Sequence, residues 1–111
     1  MALIADNSIK RMLGLMFRKR LGKRECMLFI FDNEDRHPIW MYNMLFPIDV
    51  VWLNSNSKIV GIKKNLSPCK SIFRCKEYAP DKNSSYVIEL PVGSIINANI
   101  KMNSRIRLRV S

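Results

Sequence analysis

One fifteen-residue stretch, IWMYNMLFPIDVVWL at 39–53, constrains this chain more than any other. All of it is apolar or aromatic except Asn43, Pro47 and Asp49. A membrane-spanning helix needs about 20 apolar residues in a row. This run is shorter, and Pro47 and Asp49 interrupt it. Proline also disfavours a helix through the middle and marks a bend. The stretch therefore reads as extended chain folded inside a water-soluble domain. Trp40 and Tyr42 are two residues apart, so they share a face, with Met41 on the other. DVVWL at 49–53 is rich in β-branched and aromatic side chains and predicts a strand.

The flanking sequence supplies the other elements. ALIA at 2–5 predicts a strand. Asp6 or Ser8 can then cap a helix on which Ile9, Met12, Leu13 and Met16 recur at helical spacing. That helix is expected to run into RKRLGKR and stop at Gly22. CMLFIF at 26–31 predicts a buried strand, and DNEDRHP at 32–38 a polar loop. NSNS at 54–57 predicts a hairpin turn, because Asn tolerates positive φ. The turn pairs the 49–53 strand with KIVGIKK, in which Ile59 and Val60 face opposite ways. Residues 65–84 read as a long surface loop. YVIEL at 86–90 predicts a strand, PVGSIINANI a short helix opened by Pro91, and RIRLRV at 105–110 a half-exposed strand with a basic face. The expectation is one α+β domain over 1–111, with about six strands and two short helices. Its sheet is mixed or antiparallel and curls like a small barrel.

Charge is the unusual part of the composition. Nineteen Lys and Arg stand against nine Asp and Glu, a formal net charge of +10, which attracts polyanions without naming one. The basic face is expected from Lys10, Arg11, Arg18, Lys19, Arg20, Lys23 and Arg24, with Arg105, Arg107 and Arg109. No nucleic-acid motif accompanies it, and a solvated surface is the plain alternative. The start of the chain has no basic region ahead of a long apolar one and no cleavage-like ending, so a cytoplasmic protein is expected. A mature piece of an exported precursor would read the same.

Chemistry has few candidates. No nucleophile elbow, phosphate loop or dinucleotide fingerprint is present, and no cofactor is implied. The single His37 lies in a polar stretch, and pairing it with Cys26 as a nucleophile conflicts with the core reading of Cys26. A zinc site from Cys26, His37, Cys69 and Cys75 lacks any Cys-x-x-Cys pair, so no metal is expected. Cys69 and Cys75 form a disulfide or remain two thiols, the latter favoured in a reducing compartment. Asn43 and Asp49 interrupt the apolar stretch. A buried carboxylate must be paired or hydrogen-bonded, so Asp49 holds the bend through backbone N–H groups, pairs with Arg18, or sits at a pocket mouth. A pocket is apolar with a few polar groups, and the candidate ligand-binding set is Met16, Arg18, Trp40, Asn43 and Asp49, with Met41 in the lining.

GLMFRKRL, CMLFIF, IWMYNMLFPIDVVWL and YVIELPVG occur in that order, and together they resemble the domain-of-unknown-function family numbered 192, small proteins of bacteria and archaea. The matches are Gly14, Leu15, Met16, Arg18, Leu21, Met27, Leu28, Phe29, Phe31, Trp40, Met41, Asn43, Pro47, Asp49, Glu89, Leu90 and Gly93. Cys26 stands where the family has Gly, Tyr42 where it has Lys, and Met44 where it has Thr. Asn99 and Asn103 replace glycines and can still adopt the left-handed conformation. The resemblance implies a fold and no reaction. The leading expectation is a non-enzymatic module for a small ligand or a macromolecule. A nucleic-acid-associated protein using the basic face is second, and an enzyme without a visible motif is third.

Overall fold

The computed structural model describes residues 2–107. Five strands and two short helices follow in the order β1 (Ala2–Ala5), α1 (Ser8–Leu13), β2 (Cys26–Asp35), β3 (Ile48–Leu53), β4 (Ile59–Leu66), β5 (Ser84–Pro91) and α2 (Ser94–Asn97). They make one mixed sheet in the order β1-β2-β5-β3-β4. β1 runs parallel to β2, and the other neighbours are antiparallel. The sheet is strand-dominated α+β as expected, but it is open, with β1 and β4 as its edges.

Both faces of the sheet are covered. One face gathers Met27, Phe29, Ile48, Val50, Trp52, Val60 and Val87 against Leu15, Met41 and Met44. The other gathers Leu28, Val51, Leu53, Ile59 and Ile88 against Ile95 of α2. Every residue of β3 is therefore buried, which is why, Asp49 apart, its sequence is apolar throughout rather than alternating. Ile59 and Val60 do fall on opposite faces.

Several local expectations are corrected. β2 continues through Asp35, whose partner is Ser84, so 32–35 is strand rather than loop. Helix α1 ends at Leu13 instead of running into the basic segment. Asn7, not Asp6 or Ser8, caps it by accepting the Lys10 N–H at 2.9 Å. Gly14 then turns the chain at φ +48. None of the α1 residues is buried: Met12 is 69% exposed, and Ile9 and Leu13 are also open. The helical spacing of these residues thus marks a flap over the sheet edge rather than a packed stripe. Pro91 closes β5 and does not open α2, whose N-cap is Gly93 at φ +93. In the 54–57 turn the positive φ belongs to Ser57, while the Asn54 side chain accepts from the Asn56 and Lys58 N–H groups. Asn99 and Asn103 take the left-handed values of +53 and +69. Of the sixth strand expected at 105–110, Arg105 makes one isolated bridge to Lys58, Arg107 lies outside any strand, and 108–110 lie outside the described residues.

Candidate functional site

A cavity of about 250 Å³ opens between the turn that follows α1 and the face of the sheet carrying Trp52. Arg11, Met12 and Met16 line it from the α1 side, Trp40 from the 38–44 segment, and Phe29 and Glu89 from the sheet. The turns next to the lining residues take positive φ: Gly14, itself in the lining, at +48, and Phe17, His37 and Asn43 at +62, +48 and +60. Backbone bonds hold these turns together. The Phe17 N–H donates to the Asn43 carbonyl at 3.1 Å, and the Asn43 N–H donates to the Cys69 carbonyl at 3.2 Å. A Cβ on Gly14 would stand 3.1 Å from Phe29 Cζ, so the glycine lets this turn lie close against the sheet.

Glu89 is the unusual group. It sits on the central strand β5 between Met27 of β2 and Val50 of β3. It is 4% exposed. Among the described residues its carboxyl has no hydrogen-bond or ionic partner. Burial pushes its pKa up to about 8, because an unpaired carboxylate in apolar surroundings is costly and the neutral acid is less so. At neutral pH the floor of the cavity is therefore a carboxylic acid that can both donate and accept.

The sequence candidates divide. Met16 and Trp40 line the cavity, and Trp40 tilts against Tyr42 with ring centroids 5.1 Å apart. Met44 replaces Met41 in the lining, and Met41 is packed in the core. Asn43 is outside the lining, and its backbone links the turn after α1 to Cys69. Arg18 is exposed and outside the lining, with its N–H on the Leu15 carbonyl at 3.2 Å. Asp49 lies on the far face of the sheet, 1% exposed. One oxygen accepts the Asn65 N–H at 2.9 Å, and the other accepts those of Gly93 at 3.1 Å and Ile95 at 3.0 Å. It ties β3 to β4 and to the start of α2.

The sequence reading gives Glu89 no site role. The signal was present: one ionisable residue inside the apolar strand YVIEL, two places from the core-facing Val87 and so on the same side of the sheet.

The other candidates fall elsewhere. Cys69 and Cys75 are joined in a disulfide, with Cα atoms 5.7 Å apart, rather than left as two thiols. Phe73, between them, is 95% exposed. Cys26 packs toward the α2 side of the sheet, where burial pushes its thiol pKa up. His37 instead stacks on Phe31 near the cavity and donates to the Asn33 carbonyl. The four zinc ligands are not brought together among the described residues. The basic residues from Lys10 to Arg24 belong to α1 and the segment leading into β2, whereas Arg105 pairs with Lys58 at the entry to β4. Arg107 and Ile106 follow Arg105 there. These two sets lie at opposite edges of the sheet. Arg109 lies outside the described residues. No helix among the described residues is long and apolar enough to cross a membrane.

A family model described as DUF192, Uncharacterized ACR, COG1430, matches residues 1–108. The chain belongs to the DUF192 family. UPF0127 proteins of archaea are its relatives: 34% identity to one from Pyrococcus furiosus, over 92% of this chain and 81% of that one, and 33% to one from Thermococcus gammatolerans, over 88% of this chain and 60% of that one. The chain thus spans a little under two thirds of the Thermococcus protein's length. Among solved structures, a protein of unknown function from Novosphingobium aromaticivorans aligns at TM-score 0.87 with 24% identity, over 96% of this chain and 74% of that one. A Sinorhizobium meliloti protein called a "putative transcription regulator" aligns at TM-score 0.85 with 26% identity, over 94% of this chain and 78% of that one. The open five-stranded sheet is thus shared by the DUF192 chain and these solved neighbours. No reaction comes with the family description.

Proposed function

We propose that this DUF192 chain, as one domain over 1–111, is a non-enzymatic binding module that takes a small ligand into the cavity beneath the 11–16 turn. The observation that carries this reading is Glu89, a buried, unpartnered acid facing an otherwise apolar hollow. Among the described residues no fully buried side-chain oxygen lacks a partner, so the Glu89 carboxyl, with no protein donor, is met from the cavity it lines, the orienting contact that a ligand pocket needs. Larger hollows of about 500, 420 and 410 Å³ lie near Arg105, near Lys76 and near Lys23. They are surface clefts and hold no such buried group. Met16 and Trp40 belong to the binding set with Glu89, Asn43 braces the neighbouring turn through its backbone, and Asp49 maintains the fold.

A thermal-shift screen of small molecules tests the reading. A ligand at about 100 times its dissociation constant adds roughly 2.7 kcal/mol to stability, and Trp40→Ala should abolish the shift. Hits that stabilise Trp40→Ala as much as the native chain would refute the cavity.

A second reading, a nucleic-acid-associated protein, draws on the net charge of +10 and on the name of the Sinorhizobium neighbour. The division of the basic residues between two sheet edges weakens it. Retention on heparin that falls steeply with salt supports it, and no retention at low salt removes it. The proposed compartment is the cytoplasm. The Cys69–Cys75 bridge favours the exported alternative, and thiol labelling in intact cells separates the two.

A further inference from the structure

The walls of the cavity narrow the chemistry of its ligand. Its side-chain acceptor is Glu89, and apart from Arg11 the rest of the lining is apolar: aromatic, thioether and aliphatic. Trp40 and Phe29 present π-systems, and Met12, Met16 and Met44 present soft sulfur. Arg11 is the charged residue at the mouth, and it is already engaged. Its guanidinium donates to the Ile30 carbonyl at 2.9 Å and lies 5.4 Å from the centre of the Phe31 ring. It is held along the wall and is poorly placed to capture a ligand anion. A buried acid beside aromatic faces instead suits a cation, which gains a charge-assisted hydrogen bond from the acid and a cation–π contribution from the rings.

We infer that the cavity receives the ammonium end of a small amine with an apolar body, its nitrogen on the Glu89 carboxylate and its flank against Trp40 and Phe29. This inference rests on the small-ligand reading of the same site. The strands beside Glu89 place Met27 and Val50 opposite it. α1 contributes Arg11, and the 38–44 segment contributes no charged group to the lining. His37 is taken up by Phe31 and Asn33, and Asp49 is on the other face. Among the described residues of the lining, no second acid therefore shares the proton. In the empty cavity Glu89 is protonated at neutral pH. When an ammonium enters, the proton leaves to solvent, the carboxylate pairs with the cation, and no bond of the ligand is made or broken. The net charge of +10 repels the incoming amine at long range, so affinity should hold or rise with salt, the reverse of polyanion binding.

The test uses the full chain and three matched probes: benzylamine, benzyl alcohol and benzoate. Calorimetry at pH 7 in two buffers of different ionisation enthalpy counts protons, and the Trp40 indole and methionine methyl resonances report entry. Benzylamine should bind with release of close to one proton, and its affinity should climb by about tenfold per pH unit between pH 5 and 7.5. Glu89→Gln should abolish both effects and weaken binding by at least about tenfold. The native chain's proton count and pH slope decide the matter even if that variant folds poorly. Equal or tighter binding of benzyl alcohol or benzoate, or amine binding with no proton released, overturns the ammonium inference and leaves the binding cavity standing. Silence from all three probes overturns both.

Discussion

Asp49 and Glu89 are buried carboxyls on neighbouring strands, one register step apart, and they face opposite sides of the sheet. Asp49 accepts three backbone N–H groups. Glu89 accepts none from the described residues. The two acids therefore do different work, one fastening the fold and the other facing a hollow.

Glu89 makes stability fall as pH rises. Its folded pKa of about 8 lies above the ordinary carboxyl value of 4.5. Between those values the folded chain keeps a proton that the unfolded chain releases. The contribution is intact below about pH 4.5 and is lost as pH climbs toward 8, by at most ~1.4 kcal/mol per pH unit. Urea unfolding of the native chain and Glu89→Gln across pH 5–8 measures it, and the difference between the two curves should carry this negative slope. Parallel curves would show that Glu89 is ionised in the fold.

Asp49→Ala strands three N–H donors and should cost at least ~3 kcal/mol in urea unfolding. Because Asp49 is on the far face, ligand affinity of the molecules that remain folded should be unchanged. A variant of native stability with lost binding would reverse that assignment.

Asn43 is needed for its backbone. At φ +60, and with no side-chain partner among the described residues, Asn43→Gly should lie within ~0.5 kcal/mol of native stability, and Asn43→Val should lose about 1–2 kcal/mol from left-handed strain. The comparison is read from denaturation midpoints, and equal loss in both variants would place the importance in the amide.

The Cys69–Cys75 bridge closes a short loop that is tied to the 38–44 segment through the Met41 carbonyl and the Asn43 N–H. Replacing both cysteines by serine should cost roughly 2 kcal/mol by loop-closure entropy. Reductant should lower the melting temperature of the native chain and leave the double variant where it is.

Gly61 packs under Pro80, where an added Cβ would stand 2.6 Å from Pro80 Cβ and 3.0 Å from Trp52 Cε3. Gly61→Ala should destabilise by about 1–3 kcal/mol through overpacking. A Tm equal to that of the native chain would show that Pro80 yields freely.

The strand content was legible because it depends on local pattern. The apolar run at 50–53 and the opposite facing of Ile59 and Val60 follow from side-chain type and a period of two. Of the 39–53 stretch, 48–53 is buried as expected, whereas Leu45 is 53% exposed and much of 39–47 is half-buried. Helix ends were less legible. Whether α1 stops at Leu13 depends on the left-handed turn at Gly14, and that turn is fixed by close approach to Phe29, a contact across fifteen residues of chain.

The sequence by itself determined that Asp49 had to be satisfied, since a charge inside an apolar run cannot stand alone. It could not say by which groups, because Asn65, Gly93 and Ile95 reach it only through strand pairing and the turn into α2. Glu89 shows the same boundary from the other side. Its place in a strand was readable, but its isolation was not. Only the stacking of β2, β5 and β3 beneath the 11–16 turn decided that no donor would meet it and that a cavity would.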